Sequence, residues 1–216
     1  MEFLTEHFDD FVNGFFRSLS IALWGAVGSL LLGTLLAVFR VSPIPVLQGF
    51  GAAYVTLVRN TPLTVLLFGM AFGVPGLGIN ASFYLFGVVT LILYTAAFVC
   101  EAIRSGIATV PIGQAEAARA IGLTFGQSLG LVILPQAMRS VVPPVGSVII
   151  AMIKNSAVVG AAGVGSDLFS VYKRMTSALG YAPLPVLTAV AVAFLIMTLS
   201  TGALLALAER RMAVAR

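Results

Sequence analysis

Residues 113–135 of the chain have the sequence GQAEAARAIGLTFGQSLGLVILP, a polar, small-residue segment in a chain that is otherwise strongly apolar. Of the 216 residues, 59% are hydrophobic and 9% are charged, and the mean hydropathy is +1.06. A soluble domain needs a more polar surface than this composition supplies. The sequence therefore predicts an all-α integral membrane protein in which residues 113–135 form a water-exposed connection.

Long charge-free stretches on both sides of this segment predict the membrane-spanning helices, because about 20 apolar residues cross roughly 30 Å of hydrocarbon. The stretch from Asn60 through Cys100 is too long for one helix, and the Gly- and Pro-rich residues 73–80 divide it into two. Five spans within one domain, residues 14–209, are therefore expected. They cover about 18–39, 51–72, 83–105, 141–162 and 185–207.

The distribution of Lys and Arg predicts the orientation, because basic residues are retained on the cytoplasmic side of a membrane. An N-terminus outside the cell places most of the arginines inside, namely Arg40, Arg104, Arg119, Arg139, Arg210, Arg211 and Arg216. Arg17, Lys173 and Arg174 then lie outside. The first residues lack the basic start of a cleavable signal peptide, so the first span is expected to be retained. The C-terminus is expected in the cytoplasm.

Residues suited to enzymatic chemistry are scarce in the sequence. His7 is the single histidine, and neither Lys154 nor Lys173 follows a glycine, so the sequence contains no HExxH motif and no Walker A loop. We expect no catalytic residue, no metal site and no cofactor on this chain. The formal net charge of +4 reflects the arginines of the inner face, and no nucleic-acid partner is expected. A channel or an ion-coupled carrier stays an alternative, although no inverted repeat is detectable.

The segment 113–135 has the pattern of two short helices. Residues 115–121 are rich in Ala, with Glu116 close to the positive end of the helix dipole, and Gly122 is expected to end this run. A second apolar stripe follows at Phe125, Leu129 and Val132. Pro135 is expected to end the second helix. On periodicity alone, two amphipathic helices lying at the membrane interface are an alternative.

The spacing of this segment resembles the EAA signature of the permease subunits of ATP-binding-cassette importers. In that signature EAA is followed by three residues, Gly, nine residues, Ile, one residue and Leu-Pro. Here Glu116-Ala117-Ala118 is followed by Gly122, by Val132 in place of Ile, and by Leu134-Pro135. Four other tracts resemble the polar amino-acid uptake branch of the family: Arg59-Asn60-Thr61-Pro62-Leu63, residues 101–106, residues 133–139, and residues 142–144 leading into 153–156.

The resemblance implies a type I permease of a prokaryotic cell membrane, with a cytoplasmic coupling helix between the third and fourth spans. Glu116, Ala117, Ala118 and Gly122 are the expected coupling residues. The alanines form a slim surface, and Glu116 meets a basic residue or backbone amides of an ATPase. For Glu116, a dipole or solvated charge is the alternative. The implied partners are two ATPase subunits that bind ATP and magnesium, a second permease, identical or paralogous, and an extracytoplasmic substrate-binding protein.

Polar residues within the spans are candidates for the substrate path, because ionisable groups in a bilayer are costly unless they are paired or line a cavity. Lys154, Asn155 and Ser156 offer donors for a substrate carboxylate, and a non-helical stretch at Pro143 and Pro144 is expected before them. The resemblance implies that polar residues of this span approach the substrate. The other candidates are Tyr94, Phe98, Arg59 and Thr61.

Most members of the resembled family have an acidic residue where this chain has Asn155, so we expect a net positive cavity that favours an acidic amino acid such as glutamate. Alternatively, Lys154 pairs with Glu101 or with backbone carbonyls, Arg59 snorkels or orders an inner gate, and Phe98 is a packing residue. Permeases for sulfur amino acids, betaine or opines, and an anchoring subunit with no substrate path, stay open as alternatives.

Overall fold

The computed structural model describes residues 2–163 and 165–212, and all regular structure in these two ranges is helical. The α-helices are α1 Glu2–Glu6, α2 Phe8–Val41, α3 Pro45–Arg59, α4 Leu63–Phe68, α5 Phe83–Ile107, α6 Ile112–Ala120, α7 Phe125–Gln127, α8 Leu134–Ala161, α9 Leu168–Lys173 and α10 Pro183–Met212. π-Helical turns follow three of them, at Gly69–Gly73, Ser128–Ile133 and Arg174–Ala178. Arg216 and the side chain of Arg211, used above for the orientation, lie outside the described part.

The all-α membrane architecture is confirmed. Within the two described ranges, four helical stretches are long and apolar enough to cross a membrane: Phe8–Val41, Phe83–Ile107, Phe125–Ala161 and Pro183–Arg210. A fifth span requires the pair Pro45–Arg59 and Leu63–Leu77, which is bent by 100°. The five predicted spans therefore correspond to four helices and one bent pair.

The second predicted span, 51–72, is wrong as a single helix. Pro62 has no N–H group and disfavours helical geometry at Thr61, so the chain breaks there. The Thr61 N–H bonds to the Val58 carbonyl, so the Leu57 carbonyl loses its helical partner and accepts instead from Thr61 Oγ1 at 2.8 Å. Asn60 Nδ2 adds a second bond to the Thr56 carbonyl at 2.7 Å, beside the one from the Asn60 N–H. The bend is therefore stabilised by its own sequence.

The fourth predicted span also differs, because prolines were expected to interrupt the helix. Pro135 lies in the first turn of α8, directly after the π-helical turn, where the Leu134 N–H bonds to the Leu129 carbonyl five residues back. In a regular α-helix the proline ring clashes with the carbonyl group four residues before it. The wider π-helical turn moves that carbonyl away from the ring. Pro143 and Pro144 lie inside α8, so the expected non-helical stretch is absent. Packing of α8 against α5 and α10 outweighs the intrinsic cost of proline.

Helix α5 is the centre of the fold and packs against α2 on one side and α8 on the other. Ile21 of α2, Leu91 of α5 and Met152 of α8 are almost fully buried in this core. Glycine permits the close approach of α2 to α5, since a Cβ at Gly33 would lie only 2.6 Å from the Val99 Cβ. Small residues at such contacts are typical of membrane helices, because lipid provides no hydrophobic drive for association.

The short helix α9 is tied to two long helices, α2 and α8, at one end of the bundle. The Leu168 N–H donates to Ser18 Oγ of α2 at 3.1 Å, and Lys173 Nζ donates to the last carbonyl of α8, that of Ala161, at 2.7 Å. Arg174 pairs with Asp10 of α2 at 2.9 Å. The basic residues 173 and 174 therefore fix α9 against the bundle.

Candidate functional site

Helix α6 presents the EAA residues at the surface, with one exception. Glu116 and Ala117 are exposed, whereas Ala118 is 3% exposed and packs inward. The prediction that Ala118 is part of the exposed slim surface is therefore wrong. The helix begins at Ile112, so Glu116 lies in its second turn, beyond the first turn where the dipole acts most strongly. Glu116 is consequently a projecting charge on an exposed helix face.

The turn between α6 and α7 is encoded locally. Gly122 has a φ of +88°, which glycine adopts without strain, and this conformation ends α6 as predicted. The Gly122 N–H donates to the Arg119 carbonyl at 3.0 Å and the Leu123 N–H to the Ala118 carbonyl at 3.1 Å, the two bonds of a Schellman cap. Thr124 and Gln127 then form a capping box that starts α7. The result is a defined helical hairpin.

The second arm of the hairpin packs behind α6. A cleft of about 420 Å³ separates the two arms, and Phe125 and Leu129 of the predicted apolar stripe line it together with Ala115. Gln136 Nε2 bridges the arms, donating to Gln114 Oε1 at 3.4 Å and to the Val132 carbonyl at 2.9 Å. The stripe therefore faces the protein, at least in part, and supports α6 from behind.

A second group of charged residues surrounds Glu101 near the end of α5. Glu101 Oε2 lies 3.6 Å from Arg40 NH1 and 3.6 Å from Arg59 NH1, and Glu101 Oε1 accepts a short hydrogen bond from Arg104 Nε. The guanidinium groups come from α2, α3 and α5. Three positive charges therefore surround one negative charge, a formal net charge of +2. The adjoining polar cleft of about 390 Å³, here called the arginine cleft, is lined by Arg40, Val55, Thr56, Arg59, Asn60, Phe98 and Glu101.

The structure brings together some of the predicted substrate-path residues in this cleft. The Arg59 guanidinium lies 5.3 Å from the centroid of the Phe98 ring, and behind it the Tyr94 ring, which does not line the cleft, contacts Phe98 at a tilt of 48° and a centroid distance of 5.0 Å. Thr61 lies beyond the cleft and caps α3. Arg59 and Phe98 therefore form one polar–aromatic wall, with Tyr94 behind it.

Lys154, Asn155 and Ser156 are not among the residues that line the arginine cleft. Lys154 is exposed, Asn155 is half-buried, and Ser156 is buried with its hydroxyl donating to the Ile153 carbonyl at 2.7 Å. The alternative that Lys154 pairs with Glu101 is wrong, because arginines hold that carboxylate. Within the described ranges Lys154 makes no ion pair.

Sequence reasoning missed Arg40 and Arg104 as members of a functional cluster. The available signal was Glu101, a rare carboxylate after a long charge-free stretch, with Arg104 three residues further along the same helix. Arg40 gave no comparable signal, since its contact with Glu101 depends on how α2 meets α5.

Comparison with known proteins identifies the architecture. Residues 29–214 match the family described as binding-protein-dependent transport system inner membrane component. The chain belongs to this family.

Curated relatives match over most of this permease. It is 39% identical over 213 residues to the glutamate transport system permease protein GluC of Corynebacterium efficiens, covering 93% of this chain and 92% of the relative. It is 40% identical over 165 residues to the probable glutamine transporter permease GlnM of Bacillus subtilis, covering 76% of each chain. A glutamate/aspartate import permease, GltJ of Escherichia coli K12, is 35% identical over 165 residues, covering 70% of this chain and 67% of the relative.

Solved structures agree with the sequence comparisons. A chain from the crystal structure of an amino acid ABC transporter with histidines superposes with a TM-score of 0.88 at 31% identity, covering 96% of each chain. An inward-facing methionine transporter, MetNI, superposes with a TM-score of 0.75 at 25% identity, covering 94% of this chain and 96% of that one. The permease therefore has the fold of ABC importer membrane subunits, as its sequence predicts, and is a multi-pass membrane protein.

Proposed function

We propose that the chain is the membrane-spanning permease subunit of an ATP-driven importer for polar amino acids. The single observation that supports this most directly is the exposed EAA helix, held on a capped hairpin within a chain of this family. The hairpin joins the third span to the fourth, so a displacement of α6 acts on both. A short helix supported from behind transmits such a displacement as a rigid body.

In the proposed assembly, the N-terminus is outside, α6 faces the cytoplasm and energy comes from other chains. Two ATPase subunits bind ATP and magnesium and contact Glu116, Ala117 and the turn at Gly122. A second permease, identical or paralogous, completes the pathway, and an extracytoplasmic binding protein delivers the solute. The family description, which names dependence on a binding protein, supports the last of these.

The proposed substrate is an acidic or other polar amino acid. Lys154 provides an ammonium group that is exposed and makes no ion pair with the residues the structure describes, and Asn155 beside it contributes no negative charge. The relatives named above are described as glutamate, glutamine and glutamate/aspartate permeases, which supports a solute of this class. A substrate carboxylate gains a charge-assisted hydrogen bond from Lys154. Ser156, Tyr94, Phe98, Arg59 and Thr61 complete the proposed path.

Charge reversal at Glu116 tests the coupling role. The purified transporter is reconstituted in vesicles with ATP inside, and uptake of glutamate and glutamine is measured. Glu116→Arg should lower both uptake and ATPase activity about tenfold or more, because it places a positive charge at the proposed ATPase contact. Glu209→Arg, the same change near the end of α10, is the matched control and should leave both unchanged. Uptake near the wild-type rate with Glu116→Arg would refute the coupling role.

A further inference from the structure

The arginine cleft contains more hydrogen-bond donors than the protein satisfies. Among the described residues, the guanidinium groups of Arg40 and Arg59 make no hydrogen bond, and both remain at 3.6 Å from Glu101 Oε2. The Arg40 side chain is only 19% exposed. A guanidinium offers five N–H donors, so both groups have donors left for an acceptor that a ligand supplies in the cleft. Glu101 alone cannot serve them, because Arg104 already bonds to its other oxygen.

The two guanidinium groups are close enough to hold one ligand. Each has its NH1 atom at 3.6 Å from the same oxygen, so the two nitrogens lie within twice that distance of each other. A tetrahedral oxyanion spans such a gap and accepts several hydrogen bonds at once, and planar guanidinium groups bind phosphate in this way. Val55 and Phe98 add apolar walls to the cleft.

The cleft also lies where a phosphate is abundant. Arg40 is in the last turn of α2 and Arg104 in the last turn of α5, so the cluster is at a membrane boundary for either orientation of the chain. Nearby positions of α2 and α3 expose apolar side chains, among them Val38 and Leu57, which suit lipid chains. Basic pockets between membrane helices are known to bind anionic headgroups.

We propose that the arginine cleft is a phosphate-binding site in which Arg40 and Arg59 hold one phosphate group in competition with Glu101. The group belongs either to an anionic phospholipid headgroup or to a soluble anion. Because the cleft joins α2, α3 and α5, occupancy stabilises the packing of these helices just before the chain enters α6. The cleft shares Arg59 and Phe98 with the proposed substrate path but does not include Lys154, and the test of phosphate binding uses no amino-acid substrate.

Cys100 provides the reporter for a test. It is the single cysteine of the chain, it is fully buried, and it precedes Glu101. The delipidated transporter is heated in dodecyl maltoside with a maleimide, and modification of Cys100 is followed by mass spectrometry of this chain. Phosphatidylglycerol, phosphatidylcholine and inorganic phosphate are added in separate arms. Phosphatidylglycerol should raise the midpoint of modification by about 4 °C.

The arms identify the source of the phosphate. A rise with phosphatidylglycerol but not with inorganic phosphate assigns the site to a lipid, and an equal rise with inorganic phosphate assigns it to a soluble anion. The proposal is overturned if neither phosphatidylglycerol nor inorganic phosphate raises the midpoint of Cys100 modification. It is also overturned if phosphatidylcholine raises the midpoint as much as phosphatidylglycerol does, since phosphatidylcholine has no net charge.

Four variants separate the site from a purely structural cluster. The Arg59 side chain is 43% exposed, so Arg59→Gln should fold, and it should lose the phosphatidylglycerol-dependent shift of the Cys100 midpoint. Arg40→Gln should do the same. Glu101→Gln removes the competing carboxylate, so the concentration of phosphatidylglycerol or phosphate that produces the shift should fall about tenfold. This holds even if the unliganded variant is less stable than the wild type. Arg139→Gln, an exposed arginine outside the cleft, should behave as wild type. A shift of the Cys100 midpoint that persists in both Arg40→Gln and Arg59→Gln overturns the proposal.

Discussion

Gly122 shows how one residue controls the geometry of the helical hairpin formed by α6 and α7. Its φ of +88° places the backbone in the left-handed region, although a Cβ there would meet no atom within 4 Å. A substitution is therefore opposed by the backbone conformation and not by crowding. Gly113 is a natural comparison, because it also has open space around it but lies within the regular geometry of α6.

We expect Gly122→Ala to weaken coupling while Gly113→Ala does not. A left-handed non-glycine residue costs about 1–2 kcal/mol, which reduces the population of the intact turn about tenfold. Gly113→Ala favours the helix. The measurement is ATPase activity of reconstituted transporter with binding protein and solute. Equal activity of the two variants would show that the turn does not transmit coupling.

Lys154 provides the second prediction at the residue scale. If its ammonium group binds a substrate carboxylate, Lys154→Gln should raise the KM for uptake about tenfold, the loss of one hydrogen bond to a charged group. Lys154→Arg keeps the charge and should restore most of the affinity. Uptake of glutamate and glutamine is compared in vesicles. A fall in kcat at constant KM would instead indicate a structural role.

The bend between α3 and α4 is the main feature at the scale of elements. Pro62 interrupts the helix, and the side chains of Asn60 and Thr61 donate to the carbonyls of Thr56 and Leu57. The bend also places Asn60 and Arg59 beside Phe98 in the arginine cleft. A straight span of the same sequence would change the course of the chain directly after this wall.

Replacing the proline should test this dependence. Pro62→Ala removes the block to helix continuation, so α3 and α4 should become more continuous and uptake should fall about tenfold. Pro45→Ala is the control, because Pro45 begins α3, where a missing N–H is tolerated. Uptake in vesicles and the thermal reactivity of Cys100 are measured for both. Unchanged uptake and Cys100 reactivity in Pro62→Ala would contradict a role for the bend.

At the scale of the whole molecule, the two ends of the bundle differ in chemistry. One end holds the acidic residues of α1 and α2, where Asp10 pairs with Arg174 and Tyr181 donates to Glu6 at 2.7 Å. The opposite end holds the arginine cleft and the exposed helix α6. This asymmetry agrees with the proposed orientation, in which basic residues are retained in the cytoplasm.

Cysteine labelling tests that orientation. Cys100 is buried and gives no background, so Asn80→Cys and Gln114→Cys, both exposed positions, report separately on the two ends. A membrane-impermeant maleimide added to intact spheroplasts should label Asn80→Cys, whereas Gln114→Cys should react only after permeabilisation. The reverse pattern would invert the topology and place α6 on the wrong side for an ATPase.

Sequence determined the features that depend on composition and on neighbours along the chain. The membrane class follows from hydropathy, and the hairpin from Gly122 and the nearby capping residues, because each of these signals acts within a few residues. Even the pairing of Glu101 with Arg104 follows from helical spacing. The helix through Pro135, Pro143 and Pro144 was not predictable in this way, since packing against α5 and α10 overrides a local preference.

Tertiary structure alone decided the arginine cleft. Arg40, Arg59 and Glu101 come from three helices, and their meeting depends on which faces of α2, α3 and α5 are in contact. Helices that are apolar on nearly every side give little periodic signal for the buried face. It is close packing, such as that of Gly33 against Val99, that sets their rotation and register. Composition and local spacing thus specify the membrane helices and the hairpin of α6 and α7, while the arginine partners of Glu101 from other helices follow from packing.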